Sequence, residues 1–147
     1  MRVTRRPSTE FERMLLQLAE ETGVRIAFIC EPAEDAPGRA RALAILHDGE
    51  FAEPYDYALE GTPCGRVYAR GSLFHAHGLR SMYPGDAELE SWGVDTYLGV
   101  AMVDKRGRML GHVGVMNDEP LSDPAAVETR LRSLAKRVGK LLHERSA

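Results

Sequence analysis

The sequence contains few cysteines, no long apolar run and little net charge, and each shortage bears on the class of protein. Two cysteines, Cys30 and Cys64, stand among 147 residues without CxxC or paired spacing. This pattern excludes a disulfide framework, offers no ligand set for a structural zinc and fits a reducing compartment. No run of about 18 apolar residues occurs, and no apolar stretch follows the basic N-terminal start, so we expect a cytoplasmic protein without a membrane span or export signal.

Charge of either sign is not in large excess. The formal net charge is −3, and charged residues make up 28% of the chain against 44% hydrophobic residues. These values are typical of an ordinary globular protein. The basic residues are scattered, so we expect solvated surface and no nucleic-acid partner. The length suits one domain, 1–147, whose core needs no cross-links.

Motifs of well-known catalytic sites are also missing. The sequence contains no GxSxG, HExxH, Walker A or GxGxxG pattern, and no pair of carboxylates stands at a recognisable catalytic spacing. We therefore expect a protein that is not an enzyme. The sequence names no cofactor.

The first part of the chain predicts a helix followed by strands. Thr9 and Glu12 have the spacing of a capping box, and apolar residues then recur at helical intervals up to a stop at Gly23. Apolar runs at 24–30 and 41–47 predict two strands.

The middle of the chain predicts short helices and loops over a sheet. The segment 51–59, which contains a proline, indicates an edge or interrupted strand, and a strand-like run follows at 73–77. Capping residues and closing glycines predict short helices within 62–71 and 86–93.

Two further strands and a long helix complete the chain. The runs 96–103 and 109–116 predict an antiparallel hairpin, and 123–144 predicts a helix. Three glycines in the hairpin indicate that another part of the fold comes close to the sheet: Gly99, Gly111 and Gly114. The order of elements predicts an α+β fold with a mostly antiparallel sheet. It fits either a whole small protein or a module of a longer one.

A series of short motifs runs through the middle and end of the chain: YALEGTPC at 57–64, then Tyr83-Pro84-x-Asp86, Leu89, Tyr97-Leu98-Gly99, Asp104, Gly107 and Leu110-Gly111-His112. This ordered set resembles the GAF domains of bacterial sensor kinases, cyclic-dinucleotide enzymes and transcription activators. With the long terminal helix, the resemblance covers roughly 9–145. One departure is Ala101, where this group often has proline, and a strand residue serves equally well there.

The resemblance implies a six-stranded antiparallel sheet with the N- and C-terminal helices on one face. A small-molecule pocket is implied on the other face, beneath short helices and loops. It does not transfer a ligand, because GAF domains bind cyclic nucleotides, bilins, haem, small anions or no known ligand. The sequence lacks both the NKxnFxxxDE pattern of cyclic-nucleotide-binding members and a chromophore-attaching cysteine followed by histidine. Those two uses are disfavoured.

Nine residues are candidates for the ligand pocket: Tyr57, Thr62, Cys64, Arg80, Tyr83, Trp92, Tyr97, Gly99 and His112. Aromatic walls with a few polar tips are typical of small-ligand cavities, although such rings serve equally in core packing. Arg80 would suit an anionic ligand or stand exposed at the surface. His112 would be a polar anchor, an axial haem ligand or a hydrogen-bonded core histidine.

Redox and metal chemistry are further alternatives. Cys64 lies in the first turn of a predicted helix, where the helix dipole favours a thiolate, whereas its other reading is a small buried hydrophobe. Cys30 is expected on a distant core strand, which argues against reduction of methionine sulfoxide by cooperating cysteines. His75 and His77 would project to the same side of an extended segment and, with Cys64, offer three metal ligands, or they would face solvent. We predict no metal site.

Two functions remain open from sequence. One is a regulatory small-molecule-sensing domain of bacterial signal transduction, with an unidentified ligand and an effector domain or kinase as output partner. The other is a dimerisation or protein-interaction module with a vestigial pocket, while a redox or metal sensor built on Cys64 and nearby histidines ranks third. A cavity of about 300 Å³ or more with convergent polar groups would favour the sensor.

The long helix also predicts a homodimer through the terminal helices. Its apolar residues follow the four-three spacing of a helix-bundle seam: Val127, Leu131, Leu134, Val138 and Leu141. The alternative is a monomer whose helices only cover the sheet.

Overall fold

The first helix begins where the sequence places a capping residue. The computed structural model describes residues 3–145, and α1 spans Glu10–Thr22. The Thr9 hydroxyl accepts a hydrogen bond from the Glu12 amide at 3.1 Å, and Gly23 ends the helix in the left-handed conformation. The predicted boundaries of this helix are confirmed.

Within residues 3–145, seven strands form one antiparallel sheet. They are β1 (Ile26–Pro32), β2 (Arg39–His47), β3 (Glu50–Phe51), β4 (Tyr55–Ala58), β5 (Ser72–His75), β6 (Thr96–Val103) and β7 (Met109–Asn117). Six follow one another in the order β3-β2-β1-β7-β6-β5, and β4 also pairs with β2. The sequence predicts six strands. The seventh arises because a proline-containing break divides the predicted edge strand into β3 and β4.

Three short helices and one long helix complete the fold. They are α2 (Pro63–Arg70), α3 (Leu79–Met82), α4 (Ala87–Trp92) and α5 (Pro124–Arg145). Of these, α2, α4 and α5 are predicted from sequence and α3 is not. Within residues 3–145, no helix combines the length and the apolar character needed to cross a membrane.

The two faces of the sheet enter two separate cores. On one face, Ala27 and Ile29 of β1 pack with α1 and α5, and on the other, Phe28 and Cys30 pack with α2 and α4. This division follows from the alternation of side chains along a strand. The predicted α+β arrangement, with the terminal helices on one face and the short helices on the other, is confirmed.

The apolar stripe of α5 is mostly buried within the chain itself. Val127, Leu131, Leu134 and Val138 are at most 5% exposed and belong to the core beneath the sheet, whereas Leu141 is half-buried at its edge. An ion pair between Arg130 and Glu21 also joins α5 to α1. Most of the surface that predicted a homodimer is therefore covered by the protein's own sheet.

Close packing explains two of the strand glycines. A Cβ at Gly99 would lie 2.8 Å from the Tyr97 hydroxyl and 2.9 Å from Cγ2 of Val67, while a Cβ at Gly114 would meet the ring of Phe28. Both positions lie on the face covered by the short helices. The predicted close approach to the sheet is confirmed at these sites.

Candidate functional site

A cavity of about 310 Å³ lies between the sheet and the short helices α2 and α4. Its floor consists of apolar side chains from three strands: Ile26 and Phe28 of β1, Ile45 of β2 and Met116 of β7. Alternate residues of β1 face the cavity because side chains along a strand alternate between faces. The cavity is thus a gap in the core on the short-helix face.

Two tyrosines of β4 form one wall. Tyr55 and Tyr57 are two positions apart on the strand, so both project to the cavity side, with ring centroids 6.0 Å apart. The Tyr57 hydroxyl donates a hydrogen bond to Cys30 Sγ at 3.4 Å. The wall is therefore aromatic, and the Tyr57 hydroxyl is already hydrogen-bonded to Cys30.

The opposite wall contains Trp92, the single tryptophan of the chain. It lies at the end of α4, where Arg25 donates a hydrogen bond to its carbonyl oxygen at 3.0 Å. Arg25 also makes two hydrogen bonds of 2.8 Å to the Asp48 carboxylate, and the ring of His47 meets the indole edge-on at 5.0 Å. These contacts connect Trp92 to the start of β1 and the β2–β3 turn.

The turn within the YALEGTPC motif forms the rim next to α2. The Thr62 hydroxyl donates to the Leu59 carbonyl at 2.7 Å and accepts from the Gly65 amide at 3.3 Å. A Cβ at Gly65 would lie 2.5 Å from the Leu59 carbonyl oxygen, so only glycine fits there. This turn brings Thr62 and Cys64 into the cavity lining.

Both cysteines line the cavity and both are buried. The Tyr97 hydroxyl donates to Cys64 Sγ at 3.2 Å, as Tyr57 does to Cys30. Burial raises the pKa of Cys64 to about 11 and also raises the pKa of Cys30, so both are neutral thiols at physiological pH. The expectation that Cys30 lies far from Cys64 is wrong, because both side chains line the same cavity and belong to the same core on the short-helix face.

His112 is fully buried behind the tyrosine wall rather than in the lining. Its Nδ1 lies 2.8 Å from the Tyr68 hydroxyl, and its Nε2 lies 3.4 Å from the Tyr57 hydroxyl. Burial lowers the pKa of the imidazole to about 3, which keeps the ring neutral. Of the alternatives open from sequence, this geometry is that of a hydrogen-bonded core histidine.

The formal charges in the lining are all negative. Glu60, Asp86 and Glu88 lie among the lining residues, and the residues that line the cavity in the described part of the chain include no lysine, arginine or histidine. Burial raises the pKa of Asp86 and of Glu88, and a hydrogen bond from Tyr55 partly opposes the rise at Glu88. The mouth of the cavity is therefore acidic.

The nine candidate residues are divided by the fold. Four of them line the cavity: Tyr57, Thr62, Cys64 and Trp92. Tyr97 lies behind Cys64, and Gly99 lies against Tyr97. Tyr83 borders a separate shallow groove, and Arg80 approaches the carboxylates of Asp95 and Glu90 at 3.7 Å. These two residues and His112 are not part of the lining.

His75 and His77, which the sequence offers as an alternative metal-ligand pair with Cys64, do not lie on one extended strand. β5 ends at His75, whose Nε2 lies 3.1 Å from the Tyr83 hydroxyl, and His77 lies in the bend that follows. Within residues 3–145, no group of three or more histidine, cysteine or acidic side chains is arranged to hold a metal ion. The trio with Cys64 is not assembled.

Several lining residues are not among the nine candidates. They are the floor residues of β1, β2 and β7, Cys30, Tyr55 and the acidic residues of the mouth. Tyr55 is two positions from Tyr57, so the alternation of side chains along a strand predicts that both face the same side. The acidic residues lie in polar segments that give no sign of facing a cavity, and only the fold brings them to it.

Comparison with known proteins identifies the fold. No protein-family model matches the sequence, and no curated protein is similar to it. Solved structures do match. The GAF domain of an Acinetobacter phosphoenolpyruvate-protein phosphotransferase has a TM-score of 0.66 and 17% identity over 89% of this chain and 78% of that one. The GAF domain region of a Geobacter sulfurreducens PCA protein has a TM-score of 0.63 and 15% identity, with 87% of both chains covered.

A chromophore-binding domain is equally similar in shape. The chromophore-binding domain of an unusual bacteriophytochrome from R. palustris has a TM-score of 0.66 and 13% identity over 91% of this chain. This chain spans 54% of that one, about half its length. At such identities the likeness concerns the fold alone, and the chain has a GAF fold, as the sequence motifs predict.

Proposed function

We propose that this chain is a regulatory GAF domain that senses a small molecule in the cavity beneath α2 and α4. The observation that carries the proposal is the cavity itself. Its volume of about 310 Å³ lies at the lower end of the range for small-molecule sites, and its lining combines aromatic walls with a few polar groups. The GAF fold adds support, because its solved examples include a chromophore-binding domain.

The alternative function, an interaction module with a vestigial pocket, is less well supported. A vestigial pocket would be filled by side chains, whereas here the space between β1, β4 and α4 stays open. The buried polar side chains of residues 3–145 all have hydrogen-bond partners, so the walls are satisfied without a ligand. A preformed cavity of this kind favours binding over packing.

We propose a sensing role rather than catalysis for the same cavity. A nucleophile needs an accessible ionised form, and the buried thiols that line the cavity have pKa values raised by burial. Two unpaired cysteines also fit the reducing cytoplasm, where we place the protein. A bacterial signalling protein, with an effector domain or kinase as its output, is the setting that we propose for it.

Native mass spectrometry of freshly purified protein tests the sensing role. We expect a retained small molecule, lost in Ala87→Phe, because Ala87 lines the mouth and a benzyl group there would enter the cavity. Ala125→Phe, at an exposed position in the first turn of α5, is the matched control and should keep the added mass. A wild type without added mass, and without stabilisation by a cytoplasmic metabolite extract, would count against sensing.

A further inference from the structure

The acidic mouth of the cavity has no ion-pair partner within residues 3–145. Glu60, Asp86 and Glu88 take part in none of the ion pairs described for residues 3–145. Two arginines are near in sequence: Arg66 lies over the ring of Tyr83, 5.7 Å from its centroid, and Arg80 approaches Glu90 and Asp95. Among the described residues, the lining of the cavity therefore presents three carboxylates and no cationic side chain, while Arg66 borders the adjoining groove.

The three carboxylates lie at the entrance of the cavity, where Asp86 is half-buried and Glu60 and Glu88 are exposed. The pKa values of Asp86 and Glu88 are raised chiefly by partial loss of solvent. Some compensation comes from the Glu88 amide, which donates to Asp86 at 3.2 Å, and from the Tyr55 hydroxyl at Glu88. A positive charge placed at the mouth would be attracted by these carboxylates.

The walls suit a positive charge as well. Tyr55, Tyr57 and Trp92 all line the cavity. Aromatic faces attract ammonium groups, and the attraction is stronger where water is excluded. Below them, Phe28 and Ile45 give an apolar floor that has no donor for the phosphate or carboxylate of an anionic ligand.

We propose that the cavity binds a small organic cation, an amine or quaternary ammonium compound with an apolar body. The ammonium group lies at the mouth near Glu88 and Asp86, and the apolar body lies on the floor formed by β1 and β2. This assignment rests on the proposed sensing function and narrows it. It replaces the anionic ligand that Arg80 suggests in the sequence, because Arg80 is not in the lining.

Three probes of similar shape and different charge test the assignment. Phenyltrimethylammonium is the cation, tert-butylbenzene is its neutral carbon isostere and benzenesulfonate is an anion. Trp92 is the only tryptophan and lines the cavity, so its fluorescence reports binding at this site, with calorimetry as the second measurement. We expect the cation to bind about ten-fold more tightly than the isostere, and the sulfonate not to bind.

Two variants on one helix locate the charge effect. Glu88→Gln should weaken binding of phenyltrimethylammonium about three- to ten-fold and leave tert-butylbenzene unchanged, because only the charge is removed. Glu90→Gln lies two positions along α4, outside the lining, and should change neither affinity. If the two variants weaken binding of the cation equally, the effect comes from the overall negative charge of α4 and not from a contact between the ligand and Glu88. That result would overturn the assignment.

The outcomes separate this assignment from the sensing function. If the isostere or the sulfonate binds as tightly as phenyltrimethylammonium, or if the cation does not bind, the cavity is not a cation site. The sensing function then depends only on the retained mass in native spectra. A retained anion would contradict the assignment of a cationic ligand but support the sensing function. A retained amine would support both the assignment and the sensing function.

Discussion

The hydroxyl of Tyr57 lies between two buried groups that hold the cavity wall in place. It is 3.4 Å from Cys30 Sγ and 3.4 Å from Nε2 of His112, whose other nitrogen is 2.8 Å from the Tyr68 hydroxyl. The neutral imidazole can donate through one nitrogen and accept through the other, so it joins the two tyrosines. The aromatic wall is therefore fixed from behind, which favours a cavity that is formed before a ligand arrives.

Cys64 should behave as a structural residue. Burial raises its thiol pKa to about 11, so the nucleophilic thiolate is scarce at neutral pH, and its side chain is only 5% exposed. We expect Ellman's reagent to modify the native protein at a small fraction of the rate in denaturant. Cys64→Ala should cost about 1 kcal/mol in the free energy of unfolding. Rapid labelling of the native protein at pH 7 would instead indicate a depressed pKa and a redox role.

Arg25 should hold the end of α4 so that the Trp92 side chain lines the cavity. Replacement by alanine removes the hydrogen bond to the Trp92 carbonyl and the paired bonds to Asp48. For Arg25→Ala we expect a red-shifted Trp92 emission and a loss of about 1 kcal/mol in stability, since both charged partners are partly exposed.

The matched control for Arg25→Ala is Arg41→Ala. Arg41 pairs with Asp56 at 3.3 Å between two exposed side chains on the sheet. Its replacement should leave the emission spectrum unchanged and change stability by less than about 0.5 kcal/mol. Identical spectra for wild type and Arg25→Ala would show that the position of α4 does not depend on Arg25.

At the scale of elements, α2 packs closely on β6, where Val67 and Tyr97 lie against Gly99. Gly99→Val should destabilise the protein by about 1 to 3 kcal/mol, because the added carbons would overlap Tyr97 and Val67. Gly139→Ala in α5 is the contrasting change, since its Cβ would lie 3.7 Å from Met102 Cβ, and alanine favours a helix by about 1 kcal/mol. Urea denaturation that ranks the two variants in the reverse order would contradict this packing.

Elements with local signals are the ones that the sequence predicts well. α1, α2 and α4 each begin at a side chain that accepts an amide hydrogen bond and end at a left-handed glycine, and these features depend only on neighbours. α3 follows Gly78 without a side-chain cap, so nothing in the sequence marks its start. The strands and their alternation are likewise readable from apolar spacing.

The cavity is harder to predict because it depends on which strands become neighbours. The sequence predicts four of the lining residues because they lie in recognisable motifs or are aromatic: Tyr57, Thr62, Cys64 and Trp92. The sequence places Cys30 on a distant strand, since periodicity gives the face of a strand but not its position in the sheet. The acidic mouth and the exclusion of Arg80 follow only from tertiary structure.

For the whole molecule, the homodimer inferred from the terminal helices stays a prediction. Because the main stripe of α5 packs on the chain's own sheet, a second copy would meet half-buried Leu141 and its surroundings. We expect light scattering to give a dimer mass at tens of micromolar, and Leu141→Glu to give a monomer with unchanged circular dichroism.

Ala126→Glu is the control for this test. It adds the same charge at an exposed position in the first turn of α5 and should remain dimeric. A monomeric wild type, or a Leu141→Glu variant that stays dimeric, would contradict assembly through this helix.

The pairing at the centre of the sheet also sets the order in which the molecule can form. β1 lies beside β7, and Ile26 and Met116, which are paired there, both belong to the floor of the cavity. Residues about ninety positions apart must therefore meet, and such distant pairings are typical of domains that fold in milliseconds to seconds. During synthesis the floor is absent until β7 has left the ribosome. A ligand can therefore stabilise the finished domain but cannot serve as a template for its early folding.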